Sequence, residues 1–345
     1  MPTLLEDSHI TLSHGAGGRA MRTLIETLFI EAFGNDELCR MEDQARLDLA
    51  RLSAQGDRLA FTTDSYVIDP LEFPGGNIGS LAVNGTLNDL AVGGARPLYL
   101  SCAFIIEEGM AVSQLRRIVE AMRDAARAAG VSIITGDTKV VPRGKGDGLF
   151  INTSGLGVIP QGLELAASRC EPGDRVVVSG TLGDHGAAIL QARGELALAS
   201  NLTSDCRSLH GLVQHMLAQT TEIKAMRDAT RGGVAAILHE FAAASGRAIR
   251  VFEDSLPVKP EVRGVCEILG LDALHFANEG KLVAVVAQER ADVLVRAMRQ
   301  HEAGRDACII GEILEGPAGR VQLRTLMGSE RLLDLPEGEL LPRIC

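Results

Sequence analysis

The chain has 345 residues, of which 46% are hydrophobic and only 3% aromatic, with 38 glycines and a formal net charge of −11. The apolar fraction excludes a disordered polymer, the length points to two domains, and the acidic balance argues against a general nucleic-acid binder, whose phosphate contacts need clustered Lys and Arg. No apolar run approaches the roughly 20 residues that span a bilayer, and the start from Met1 to Ile10 lacks a signal-peptide pattern, so a cytoplasmic enzyme with neither nucleic acid nor membrane as partner is expected.

In chain order, the first marked feature is the glycine-rich turn His14-Gly15-Ala16-Gly17-Gly18, followed by an apolar strand from Leu59 into Asp64 and a second glycine turn, Pro74-Gly75-Gly76-Asn77-Ile78-Gly79. Leu115, Ile118, Val119, Met122 and Ala126 fall on one face, which predicts a helix from about Val112 to Ala129, and Gly130 is placed to end it. A short strand from Val131 to Thr135 then delivers Gly136-Asp137-Thr138-Lys139. Leu149 to Ile159 reads as a strand pair interrupted by Gly155 and Gly157, and Pro160-Gln161-Gly162 marks a domain break. Beyond it a strand from Arg175 to Ser179 runs into the turn Gly180 to Gly186 and a helix. A helix face of Val234, Ile237, Leu238 and Phe241 closes near Gly246, and strands follow at Ile249 to Phe252 and Leu282 to Val286. The reading is α/β (α+β): a glycine-loop segment (1–40), a first domain (41–160), a second α/β domain (161–325) and a mobile tail (326–345).

Seven cysteines are scattered without a CxxC pair, which indicates neither a zinc knuckle nor a disulfide frame. Six fit as small buried hydrophobes. The seventh, Cys345, is the last residue, and from Leu335 onward an extended chain, stiffened by Pro336 and Pro342, reaches about 35 Å. It reads either as a swinging thiol or as an accident of a loose terminus.

Three apolar strands run into Asp64, Asp137 and Asp184. Carboxylates converging at strand ends, with Asp43 and Asp89 added from other segments, would hold Mg²⁺ and through it phosphates; singly, each is as readily a helix or turn cap. No GxxxxGK[ST] occurs, so an ATP site must be of another kind than a P-loop. Gly180 to Gly186 imitates a dinucleotide turn, but no strand-ending acid follows about 20 residues on, since Glu195 lies in a polar-small stretch, which weakens a nicotinamide reading. Asp228-Ala229-Thr230-Arg231-Gly232-Gly233 precedes a helix whose N-terminal amides and Arg231 suit a phosphate. Asn278-Glu279-Gly280-Lys281, between an apolar segment and a strand, holds either a general base or a polar turn.

Together with the ending Pro342-Arg343-Ile344-Cys345, these segments closely resemble the HypE family of hydrogenase maturation factors. That family lies within the superfamily of aminoimidazole ribonucleotide synthetase, thiamine monophosphate kinase and selenophosphate synthetase. The resemblance implies ATP and Mg²⁺ as cofactors and a homodimer that pairs its N-terminal sheets. It implies a carbamoyl group received on Cys345 from the carbamoyltransferase HypF, ATP-dependent dehydration to an S-cyano group, and delivery of cyanide to iron on HypC-HypD. An amide oxygen is a poor leaving group; phosphorylating it gives an iminophosphate that loses phosphate once the nitrogen is deprotonated. By the same resemblance Asp43, Asp64, Asp89 and Asp137 bind metal and phosphate, with Gly17, Gly18, Asp228, Thr138, Thr230, Arg231, Gly232 and Gly233 also at the nucleotide. Glu279 would take the carboxamide proton, Lys139 would orient substrate or offset phosphate charge, and His14 and His185 are alternative bases. The rivals are a kinase of a free small molecule and a non-catalytic carrier of a thiol-bound group.

Overall fold

The structure is a computed structural model and describes residues 7–194, 201–335, 338, 341 and 343–345. Glu195, Pro336 and Pro342 lie outside the described residues.

The first domain is a four-stranded sheet with its two long helices on one face. In chain order it runs β1 (Arg58–Tyr66), α1 (Ile78–Val92), β2 (Arg96–Glu107), α2 (Val112–Ala128), β3 (Ser132–Val141) and β4 (Leu149–Ile159), with strand order β1-β4-β2-β3. Only β2 and β3 pair in parallel, with α2 as their crossover. The predicted apolar face of α2 is the buried one, and Gly130, at φ +69, follows its end.

Pro74 to Gly79 is not an open glycine loop. Its first half closes a two-residue hairpin, and Asn77 caps α1: its side chain accepts the Gly79 and Ser80 amides at 2.9 and 3.0 Å while Ser80 Oγ accepts the Asn77 amide. Gly79 lets α1 press on α2, since a Cβ there would lie 2.4 Å from the Ile118 carbonyl oxygen. The predicted break at Gly155 and Gly157 is likewise absent, because β4 is one continuous strand. A Cβ on Gly155 would strike Leu90 and Thr86 of α1, so the glycine admits the helix rather than ending the strand. β3 also runs on past Thr135 to Val141, and Gly136 allows it to pass the Cys102 carbonyl of β2, 2.2 Å from where a Cβ would stand.

The second domain carries β5 (Arg175–Val178), α3 (Asp184–Ala192), α4 (His210–Gln219), β6 (Ile223–Asp228), α5 (Gly233–Ser245), β7 (Ala248–Phe252), α6 (Pro260–Leu269), β8 (Leu282–Val286), α7 (Gln288–Met298), β9 (Cys308–Leu314), β10 (Val321–Arg324) and β11 (Glu330–Leu332). The strand order is β11-β10-β7-β9-β5-β8-β6. β11 continues the sheet beyond the tail boundary expected at 326. Both faces of the sheet are covered. Val283 and Val285 pack on the side of α5, and Leu282, Ala284 and Val286 on the side of α4 and α7, so β8 reads in sequence as an unbroken apolar run.

The domains share core. Ala91 and Val92 of α1 join the α4–α7 cluster, and Ile344, 4% exposed, packs into the core of the first domain. Among the described residues no helix is long and apolar enough to cross a membrane.

Candidate active site

Strand alternation decides which β1 side chains face α1. Leu59, Phe61, Thr63 and Ser65 point outward, while Thr62, Asp64 and Tyr66 face the helix. Asp64 is therefore inside the strand and not at its end, and it looks across at Asp89 on the last turn of α1. Thr62 Oγ1 donates to Asp89 Oδ2 at 2.8 Å, and the buried Tyr66 hydroxyl donates to Asp64 Oδ2 at 3.3 Å. Gly85 makes room for that phenol, since a Cβ would lie 2.2 Å from Tyr66 Oη.

The second domain closes the other side of a small cavity of about 70 Å³ lined by Asp64, Asp89, Asp228, Arg231, Glu279 and Cys345, among others. Asp228 ends β6. The turn from it into α5 uses Gly232 and Gly233 at φ +75 and +61, and a Cβ on Gly233 would meet the Leu274 and Phe276 carbonyls. Glu279, 2% exposed, precedes β8 and lines the cavity together with Cys345, and its Oε1 has no hydrogen-bond partner.

Four acids in so small a space cannot all ionise freely. Burial and the adjacent Asp89 push Asp64 up to about 6, and burial with Asp89 pushes Asp228 up to about 7. Burial, then Asp228 and Asp205, hold Glu279 well above the usual carboxylate range; burial, then Glu279, hold the Cys345 thiol well above its own. Because the folded values exceed the unfolded ones, the stability these groups contribute is complete below about pH 4 and is lost as pH rises through about 6 and 7. Melting of the nucleotide-free protein should accordingly fall by about 5 °C between those limits. Asp228→Asn should flatten the decline in differential scanning fluorimetry; an unchanged slope would refute the assignment.

The tail enters this cavity under restraint. Ile344 forms an isolated bridge with Ile68, and its carbonyl accepts from His185 Nε2 at 2.7 Å. Arg343 pairs with Asp147 at 2.6 Å and Asp69 at 3.6 Å, and Arg193 donates to the Arg343 carbonyl. The described end of the segment read as mobile is thus docked.

Two family descriptions match: the N-terminal domain of AIR synthase related protein over residues 41–159 and its C-terminal domain over residues 171–324. Carbamoyl dehydratase HypE of Escherichia coli (strain K12) is 58% identical over 338 residues, 98% of this chain and 100% of that one. The chain belongs to the HypE family. A HypE crystal structure in complex with ATP is similar with a TM-score of 0.92 at 45% identity, covering 97% of this chain and 99% of that one. A HypE–HypF complex contains a chain similar with a TM-score of 0.79 at 46% identity, covering 91% and 99%.

Within this HypE-family chain the residues expected at one nucleotide site fall into two groups. Asp64, Asp89, Asp228, Thr230, Arg231, Glu279 and Cys345 line one cavity, with Gly232 and Gly233 in the turn beside them. Asp137 and Thr138 line another, of about 220 Å³, between β3 and the N-terminal helical segment. Asp43 is exposed in a bend beside Glu42 and Gln44, which line that second cavity, and Gly17 and Gly18 lie in an exposed turn following Gly15, which is packed against Val140 of β3. Lys139 is solvent-exposed and paired with Asp137 at 3.3 Å. Its expected part in orienting the substrate or offsetting phosphate charge is not met beside Asp64 within one chain, because β3 and β1 are opposite edges of the sheet, about 14 Å apart across three strand spacings.

Among the described residues no three His, Cys, Asp or Glu side chains are close enough to hold a metal ion unaided. His14 is buried, with Nδ1 accepting the Thr11 amide, and His185 has both ring nitrogens engaged, so neither is placed as a free base. The sequence reading missed Tyr66 and also Asn88, whose amide donates to the Arg207 and Glu279 carbonyls across the domain junction. In the run Asn84-Gly85-Thr86-Leu87-Asn88-Asp89 only Asp89 carries a local signal for chemistry.

Proposed function

We propose that this protein is a carbamoyl dehydratase of hydrogenase maturation, converting a carbamoyl group on the Cys345 sulfur to an S-cyano group with ATP as phosphoryl donor. The observation that carries the reading is the docked Cys345 thiol against the buried Glu279 carboxyl, in a cavity walled by Asp64, Asp89, Asp228 and Arg231. A chain with its own sulfur in that place needs no separate small-molecule substrate, which disfavours the kinase alternative. The concentration of acids disfavours a passive carrier.

The residues fit the group expected beside them. Mg²⁺ is commonly held by one or two carboxylates with phosphate oxygens and water completing its shell, and Asp64 and Asp89 line the same small cavity, a crowding of carboxylates that a divalent cation relieves. When bound, ATP with Mg²⁺ turns the amide oxygen into a phosphate leaving group. Arg231 and the α5 N-terminus offset the phosphate charge. Glu279, as carboxylate, removes the N–H proton while the C–O bond breaks and the C≡N bond forms. Tyr66 holds Asp64 by its hydroxyl.

A docked thiol that is enclosed and protonated is a poor nucleophile, so loading by a HypF-type carbamoyltransferase takes place with the tail released. Cyanide then passes to iron on a HypC–HypD scaffold, as the resemblance implies. The sheet face opposite α1 and α2 exposes Leu59, Phe61 and Ile105, which supports a homodimer through that face. The β3 residues Asp137 and Lys139 would then serve the nucleotide of the assembled pair.

Intact-mass measurement of Cys345 after incubation with carbamoyl phosphate, ATP and the carbamoyltransferase tests the reading. One carbamoyl group gained, followed by an ATP-dependent loss of one water, is expected. An unmodified Cys345, or a carbamoyl group that ATP leaves unchanged, would refute it.

A further inference from the structure

Glu279 and Cys345 reach the cavity from distant parts of the chain, and one irregular segment, Ser204-Asp205-Cys206, touches the support of each. Asp205 is 5% exposed and both of its oxygens are engaged. Oδ1 accepts the Glu279 amide at 3.0 Å; Oδ2 accepts the Gly280 amide at 3.2 Å and Lys281 Nζ at 3.0 Å. Its backbone closes on the same turn, since a Cβ on Gly280 would lie 2.0 Å from the Asp205 carbonyl oxygen.

Ser204 acts on the other partner. Its Oγ accepts the Cys206 amide at 3.0 Å and lies 2.8 Å from His185 Nδ1. Burial keeps the fully buried His185 imidazole neutral. A neutral ring can donate to the Ile344 carbonyl only from a protonated Nε2, which leaves Nδ1 as acceptor for the serine hydroxyl. The acceptor-only carbonyl sets this tautomer, and Ser204, whose Oγ already accepts the Cys206 amide, complements it by donating its hydroxyl to Nδ1 and so orients the ring that grips the carbonyl immediately before Cys345. The segment is also tied to the first domain, through the Ser204 amide on the Pro74 carbonyl at 2.8 Å and the Asn84 amide on Cys206 Sγ at 3.5 Å.

We propose that Ser204-Asp205-Cys206 is a positioning brace for the dehydration step: Asp205 fixes the backbone that carries Glu279, and Ser204, through His185, fixes the carbonyl that carries Cys345. The proposal rests on the assignment of dehydration to Cys345 given above. A buried ion pair alone accounts for Asp205 and Lys281. It does not account for the two amides at Glu279 and Gly280 that the same carboxylate accepts, or for the adjacent hydroxyl that sets the ring holding the tail.

Full-length wild-type, Ser204→Ala, Ser204→Thr and Asp205→Asn chains, loaded with carbamoyl phosphate and the carbamoyltransferase, are compared for loss of water from Cys345 after ATP and Mg²⁺ are added. All four should load equally and keep the same KM for ATP. Dehydration should slow about tenfold in Ser204→Ala and about 10²-fold in Asp205→Asn, and return to within about threefold of wild type in Ser204→Thr, whose hydroxyl restores the bond. The ¹⁵N shifts of His185 should report an Nε2–H tautomer with a hydrogen-bonded Nδ1 in wild type and Ser204→Thr, and an Nδ1 moved toward the unbonded imine value in Ser204→Ala. Wild-type dehydration in Ser204→Ala, or a threonine variant as slow as the alanine one, overturns the brace. If Asp205→Asn fails to fold, the two serine variants still decide. A wild-type chain that loads without dehydrating overturns the dehydratase reading and the brace with it, whereas the variant results bear on the brace alone.

Discussion

A Glu279→Gln chain is expected to accept the carbamoyl group at the wild-type rate and to lose water from it about 10³-fold more slowly, within the range that a positioned general base supplies. Glutamine keeps the size and shape of the side chain. The supports of residue 279 are to its backbone, its amide on Asp205 and its carbonyl facing Asn88, so they survive the exchange. What is lost is the oxygen that can take a proton. The pH dependence follows from the same surroundings. Burial with Asp228 and Asp205 nearby holds the Glu279 pKa well above the ordinary carboxylate value, so the basic form is scarce at low pH. Single-turnover dehydration should therefore rise with pH and level off once the carboxylate has formed, and the residual rate of the glutamine variant should lack that rise. Dehydration at the wild-type rate in the variant would remove Glu279 from the proton transfer.

Why the sequence showed some of this and hid the rest comes down to range. Helix α2 and strand β8 follow local patterns, a 3.6-residue stripe and an unbroken apolar run, and both stand where the patterns put them. Gly155 and Gly157 carry the same local signal as a chain break, yet they serve close approach, Gly155 to α1 and Gly157 to the Arg96 carbonyl of β2; nothing local distinguishes the two uses. Asp64 and Asp137 both follow apolar runs and so carry the same local signal. Strand order separates them, because β4 and β2 lie between β1 and β3.

The convergence of Asp64, Asp89, Asp228, Glu279 and Cys345 was carried by resemblance rather than by spacing. Its supports were not legible at all: Asp205 meets Lys281 across 76 positions, and His185 meets Ile344 across 159. Neither partner alters the local pattern around the other. A histidine among the glycines of residues 180–186 and a half-buried serine 19 positions on look, residue by residue, like ordinary turn chemistry.

Two glycines appended after Cys345 should leave loading by the carbamoyltransferase unchanged and slow dehydration by at least about tenfold. The argument is one of space. The cavity that receives the thiol measures about 70 Å³, whereas one water in the liquid occupies roughly 30 Å³, so it has room for a small group on sulfur but not for two more residues. The docked end cannot slide outward to make room, because Ile344 is packed in the core of the first domain, His185 holds its carbonyl and Arg343 is paired with Asp147. Added residues must therefore displace the sulfur from Glu279 or break the anchors, and either costs alignment. A control with the glycines inserted between Met327 and Gly328, both exposed and outside the strands, lengthens the chain equally without occupying the cavity and should dehydrate normally. If the terminally extended chain forms the S-cyano product as fast as that control, the thiol reaches Glu279 by a route wider than the docked structure provides.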